Sequence, residues 1–463
     1  MRQGLVSSLV CVSEIKENGR KRMTDNKELR KLIIPLILEQ MLAVSAGMVD
    51  TIMVSTVGEV AVSGVALADN INRLIIQVMA AFAAGGIVIS SQYYGSGNIS
   101  RTKHTCAQLE TLMAIFSIVT ALCCIVFSRG ILGAIFGSIE KDVMTAANTY
   151  LIVTAISYPF LGMYNAGAAI LRSLGNSKIS MNISVVMNII NVGLNALFVF
   201  VFKWGVLGVG LATLAGRIAA AAMMKKITVS AKNPLKITDI KDYIPEFFYI
   251  KRILKIGIPS GVENGMFQIG KLLVVSMIAA LGTDAIAANA IAYQVIDFPN
   301  IPGSAVGLAL VVVVGQSIGA GKNDAAVADS KKLLRIAYLG DWICKIILFV
   351  TAPFIVSVFS LSDGAHSIAV TVIKCFAIAS LPVWPLSFTL PNALRGAGDV
   401  NFTMSVSIAS MWLCRIVISY ILINRFDLGV LGVWLGMFAD WYVRGIFYTW
   451  RFASKRWLKK KVI

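Results

Sequence analysis

Glu39 and Asp50 lie 11 residues apart in ILEQMLAVSAGMVDTIMVSTVGE (37–59), an otherwise apolar stretch with no basic residue between them. Two carboxylates suggest acid–base chemistry or cation binding, and spacing decides between these. On a helix they project within roughly 20° of each other but about 16.5 Å apart along the axis, too far for a catalytic pair. Asp50 has no Lys or Arg at i±3 or i±4. A carboxylate in an apolar helix without a fixed cation takes up a proton or binds a cation. Coupling of an ion to some other process is the chemistry this position suits, and a Na+ at Asp50 is one of its two forms.

Other polar residues at depth fall into groups. Asn188, Asn191 and Asn195 are spaced to form one stripe on a helix, and Thr213 and Arg217 lie at i, i+4. Asp69 and Arg73, and Asp440 and Arg444, share that spacing, which suits local ion pairs as well as transport. Glu110, Glu263, Lys271, Asp297, Lys345, Lys374 and Arg415 complete the set. None of the seven cysteines forms a CxxC, and the two histidines fall in predicted loops. The cysteines read as small hydrophobes, so no metal or other cofactor is expected.

Long apolar helices must position these residues. Of 463 residues 57% are hydrophobic and 14% charged, with a mean hydropathy of +0.77; a soluble chain carries about 25% charged residues. Apolar runs of around 20 residues suffice to cross the roughly 30 Å hydrocarbon layer. Twelve spans are predicted: 33–56, 61–94, 105–127, 144–171, 180–201, 206–224, 256–280, 285–318, 334–358, 367–394, 403–424 and 430–451. The formal charge of +18 raises the question of nucleic acid, but the basic residues cluster between the apolar runs. With the N-terminus inside, 31 Lys and Arg fall on inside segments, 4 outside and 7 within spans. That bias places both termini and the central linker in the cytoplasm and rules out a nucleic-acid groove. The first 22 residues do not have the order of a signal peptide, and Met23 is read as an alternative start.

Sliding the chain by 224 residues exposes a repeat. PLILE (35–39) falls on PSGVE (259–263), and QYYGSG (92–97) on QSIGAG (316–321). GVLGVGLA (205–212) falls on GVLGVWLG (429–436), while LRSLG and LRGAG match at 223. The expected architecture is all-α and polytopic: two six-helix bundles related by a parallel internal repeat. An N-terminal segment (1–32), a first lobe (33–224), a basic linker (225–255), a second lobe (256–451) and a basic tail (452–463) follow in order. Even span counts make both halves enter from one side, with a cleft between the bundles suited to alternating access. The repeat separates the two carboxylates. Glu39 has a twin in Glu263, a gate or inter-lobe contact at the cytoplasmic mouth, whereas Asp50 faces Val274.

GMVDTIMVSTVGEVAVSGVALADNI (47–71), the two GxG turns, LRSLG, LRGAG, GIPSGVENGMFQIGK (257–271) and GVLGVGLAT (205–213) together resemble the multidrug and toxic compound extrusion (MATE) family of secondary transporters. The resemblance runs from about residue 30 to 455. It implies a cell-membrane antiporter, not an enzyme, that exports cationic amphipathic compounds in exchange for H+ or Na+. Its partners would be those compounds and membrane lipids, and it would function as a monomer. Export of a lipid-linked or metabolic solute on the same fold is the alternative. By the same resemblance Asp50, Asn191, Asn195 and Thr213 form the cation-coupling site, with Asn195 replacing an aspartate of some members. Glu39, Asp69 and Glu263 are secondary polar or gating residues.

Overall fold

The computed structural model describes residues 26–137, 140–230, 235–237, 239–359, 361–460 and 462–463. The N-terminal segment through residue 25, with Met23, lies outside the described residues, as do four residues of the predicted linker at 231–234. The described residues are almost all helical. Among the described residues ten helices are long and apolar enough to cross a membrane, or eleven if a pair bent by 70° counts as one span. The protein is therefore a polytopic helical membrane protein.

In the first half the helices are α1 (Asn26–Ser55), α2 (Glu59–Gly95), α3 (Ile99–Val126), α4 (Ser128–Phe136), α5 (Lys141–Ile156), α6 (Tyr158–Ser173), α7 (Ser177–Ala196) and α8 (Gly205–Val229). The second half has α9 (Phe247–Ala279), α10 (Thr283–Ile296), α11 (Ile301–Gly319), α12 (Asn323–Ser357), α13 (Asp363–Ser380), α14 (Leu390–Gly396), α15 (Val400–Ser410), α16 (Ser419–Phe426) and α17 (Gly429–Ala453). Four predicted spans are interrupted, those at 285–318 and 403–424 by a 3-10 turn at Phe298–Asn300 and a π segment at Met411–Ile418. The one expected at 144–171 is two 16-residue helices meeting at Ser157, just before Tyr158–Pro159. Proline lacks the donor for a helical bond and restrains the residue before it, so the chain restarts there. The one expected at 367–394 breaks after Ser380 and resumes from Pro385, where a π turn at Pro385–Thr389 runs into α14, with a bend of 70° between the two parts. The short helix α4 was not expected: its nine residues form two and a half turns, too brief for a hydropathy window.

By contact density the chain separates into two compact units, one through Ile258 plus Gly319–Gly321, the other over Pro259–Ile318 and Lys322–Val462. Backbone conformation repeats at the sequence offset. Left-handed glycines recur as Gly58 and Gly282, Gly97 and Gly321, Gly175 and Gly398, and Gly205 and Gly429. Lys203 and Asp427, both strained by their positive φ, are a fifth such pair. Side chains at these turns differ, yet the turn geometry is kept.

Close helix approach in the first unit rests on small residues. A Cβ built on Gly64 of α2 would lie 2.6 Å from the Ala146 Cβ and 2.8 Å from the Ala147 backbone nitrogen on α5. Backbone cannot swing aside as a flexible side chain can. Gly64→Ala should therefore cost about 1–3 kcal/mol through overpacking, read as a lower unfolding temperature in detergent. A change indistinguishable from wild type would show that α2 and α5 slide apart freely.

Candidate functional site

In the first unit α1, α7 and α8 bring one polar constellation together. Asn191 and Asn195 share a face of α7 because they are four residues apart. The Asn195 side chain, fully buried, donates through Nδ2 to Asp50 Oδ1 at 2.7 Å and approaches Asn191 Oδ1 at 3.4 Å. Asn191 Nδ2 donates to the Thr213 hydroxyl at 3.2 Å, and that hydroxyl donates to the Val209 carbonyl at 3.1 Å. All four residues of the predicted coupling set thus lie in one chain of contacts. The Asn195 Oδ1 is buried and has no hydrogen-bond partner among the described residues.

The network continues into α2 and α5. Asp69 accepts from Asn72 Nδ2 at 3.1 Å, and the Tyr150 side chain lies beside both Asp69 and Thr213. Asn72 Oδ1 accepts from the Tyr158 hydroxyl at 2.6 Å and from Thr154 at 3.2 Å. Asp69 is thereby tied to the Asp50 constellation. Arg73 acts on it electrostatically without a contact ion pair among the described residues. Arg217, anchored to Ser157 Oγ at 2.6 Å, acts on both Asp50 and Asp69 in the same indirect way. No Lys or Arg of the described residues pairs directly with Asp50. Tyr150, Asn72 and Tyr158 were missed in the sequence. Asn72 was within reach of notice, three residues after Asp69, but the tyrosines approach from helices distant in sequence.

Glu39 and Glu263 are placed elsewhere and alike. Glu39 accepts from Arg172 Nη2 at 2.5 Å and from the Tyr164 hydroxyl at 3.2 Å. Glu263 accepts from Arg395 Nη2 at 2.7 Å and from Ser407 Oγ at 2.5 Å, with Tyr448 on that serine at 2.7 Å. Each is a buried ion pair inside its own unit, and its arginine is that of LRSLG or LRGAG. Two of the repeated motifs are therefore the two halves of one repeated bridge. Arg395, in the last turn of α14, serves this bridge.

The second unit buries more charge. Asp440 pairs with Arg444 at 2.8 Å, as its spacing suggested, and with Arg415 at 2.8 Å. Asp341 and Lys345 on α12 are both fully buried and 3.5 Å apart; Asp341 was overlooked although it sits four residues before Lys345. Asp341 Oδ1 accepts the Gly303 N–H at 2.9 Å, while its Oδ2 and the Lys345 Nζ make no hydrogen bond. No cluster of three or more potential metal ligands occurs among the described residues.

The sequence profile of the family described as MatE matches this chain twice, over residues 35–197 and 259–421. The chain belongs to the MATE family. The two matches begin 224 residues apart, the offset at which the turns recur. A probable multidrug resistance protein NorM of Thermotoga maritima is 25% identical over 444 residues, covering 94% of each chain. An uncharacterized transporter, YisQ, of Bacillus subtilis is 27% identical, covering 96% of this chain and 98% of its own. Among solved structures, an outward-facing multidrug resistance MATE transporter superposes with a TM-score of 0.88 at 18% identity, over 94% of this chain and 97% of that one. A transporter from Pyrococcus furiosus, described as having a binding pocket of reverse polarity, superposes at 0.87 with 19% identity, over the same shares. This MATE protein is a secondary transporter and not an enzyme.

Proposed function

We propose that this MATE protein is an antiporter that exchanges H+ or Na+, bound at Asp50, for amphipathic compounds, cations first among them. The proposed frame is twelve spans in two six-helix bundles, a parallel repeat working by alternating access as a monomer in the cell membrane. Both termini face the cytoplasm, and the lobes run over 33–224 and 256–451 with the basic linker between. The spread of basic residues supports this orientation, and the relatives named for multidrug resistance support the substrate class.

One observation carries the coupling reading: the Asn195 amide offers its NH2 to Asp50 while its buried oxygen has no partner. An ionised Asp50 accepts hydrogen bonds and needs the NH2. A protonated Asp50 donates, and a Na+ beside it needs oxygen ligands; either state calls for the amide oxygen. Turning the amide over serves both states without moving the helix. The same turn reorders Asn191 and Thr213, which end at the α8 backbone, so ion occupancy is felt by three helices. A ligand shifts a conformational equilibrium only through such differential contacts.

Purified protein in vesicles loaded with a fluorescent cationic amphipath tests this. A pH gradient and a Na+ gradient are imposed separately, and export should accelerate under one of them. Export indifferent to both would sink the antiport reading.

A further inference from the structure

One side of α8 is apolar, open and unused by the coupling constellation. Ile218, Ala221, Ala222, Lys225 and Val229 recur at three- and four-residue spacing, so they form one stripe along the helix. Thr213 and Arg217, which face the constellation, lie about 120° round the helix from that stripe. With Phe160 and Met163 of α6 the stripe lines a groove of about 530 Å3. The two short alanine side chains leave the room, and Phe160 and Met163 form the wall. Ile218, Ala222 and Val229 are exposed, so the groove is open along its length. From Ile218 to Val229 is 11 residues, about 16.5 Å along the axis. That is close to the depth of one leaflet of a roughly 30 Å hydrocarbon layer.

Charge stands at one end of the groove only. Lys225 Nζ donates to Glu110 Oε2 and to the Tyr243 hydroxyl, each at 2.7 Å, so its charge is already met. Lys226, in the last turn of α8, also lines the groove. It is exposed and has no ion pair among the described residues. Lys225, Lys226 and Glu110 together leave one positive charge at this end. Nor is the groove a requirement of the fold. At the 224-residue offset Ala222 corresponds to Ile446 and Lys226 to Trp450. In the second unit a branched side chain thus replaces the small one, and a ring replaces the ammonium.

We propose that this groove binds an anionic phospholipid, one acyl chain lying along Ala221 and Ala222 and the headgroup phosphate on Lys226. An apolar groove one leaflet long suits an acyl chain. A lysine stem runs along such a surface while its ammonium reaches the polar interface. An ammonium without a carboxylate there favours a negatively charged headgroup over a zwitterionic one. The same charge repels cationic amphipaths, which sets the groove apart from the export path proposed above. The inference rests on that reading only for the leaflet, the cytoplasmic one, since α8 leads into the basic linker.

Native mass spectrometry of the full chain, released from micelles containing phosphatidylglycerol or phosphatidylcholine with identical acyl chains, tests the site without any gradient. Wild type should retain one more phosphatidylglycerol than phosphatidylcholine per chain. Lys226→Gln should lose that lipid, and Lys226→Arg, which keeps the charge, should hold it. Ala222→Trp fills the groove with the charge untouched and should lose the lipid as well. Both positions are exposed, so the fold should tolerate these variants. Equal retention of the two lipids would overturn the inference, as would a phosphatidylglycerol preference unchanged in Lys226→Gln. So would displacement of the lipid by soluble glycerol phosphate, the mark of a free-anion site, or by a cationic amphipath, the mark of a substrate groove. Export that ignores both gradients, with the lipid still held, would instead count against the antiport reading alone.

Discussion

Asp50→Asn should stop gradient-driven export while leaving a folded, purifiable protein. The replacement is nearly isosteric, and its amide oxygen still accepts from Asn195 Nδ2, the bond now made at 2.7 Å. What is lost is the only carboxylate among the four residues Asp50, Asn191, Asn195 and Thr213. With an amide there, ion binding no longer distinguishes two states, and a gradient has nothing to act upon. Coupled export should fall by roughly a hundredfold, about 2.7 kcal/mol of lost driving interaction. Slow downhill movement of substrate should persist. The measurement is the initial rate with and without the imposed gradient, beside an unfolding scan of the same preparation. Full gradient stimulation in the variant would remove Asp50 from the mechanism.

Asp440→Leu should be the most destabilising single substitution in the second unit. The carboxylate is fully buried and is bonded by Arg444 Nε at 2.8 Å, by Arg415 at 2.8 Å and by Ser410 Oγ at 2.7 Å. Removing it leaves two guanidiniums facing each other in a low-dielectric interior. Breaking a buried ion pair from one side costs about 3–5 kcal/mol because the remaining charge is stranded. A large fall in unfolding temperature and in yield from the membrane is expected. Replacing all three residues together, as Asp440→Leu with Arg415→Met and Arg444→Leu, should regain most of that loss, since no charge is then stranded. If the single variant were as stable as wild type, the triad would be solvated.

The membrane architecture was legible in the sequence because it depends on composition and order alone. Long apolar runs, basic segments between them and a 224-residue offset need no knowledge of packing. Asp50 also stood out locally, as a carboxylate with no basic neighbour within a turn, and so did the Asn191–Asn195 face. The repeat marked Glu39 and Glu263 as twins but could not name their partners. Arg172 and Arg395 lie 133 and 132 residues away, and helical periodicity carries no information across that distance.

Other features appear only when helices meet. Breaks at Ser157 and between Ser380 and Pro385 interrupt stretches whose hydropathy is continuous. Asp69 looked like one half of an i, i+4 pair with Arg73, yet Asn72 and Tyr150 take it instead. Spacing gives the chance of a pair, while rotamers and competing neighbours decide it. Arg415 read as one more charge within a span; tertiary structure set it on Asp440 beside Arg444 and over Phe267. By itself the sequence determined the helical membrane class, the duplication and the position of the lone carboxylate, because each is written in local composition and periodic order. Only the folded chain decided which charges are neutralised, because that depends on side chains far apart in sequence meeting where water is scarce.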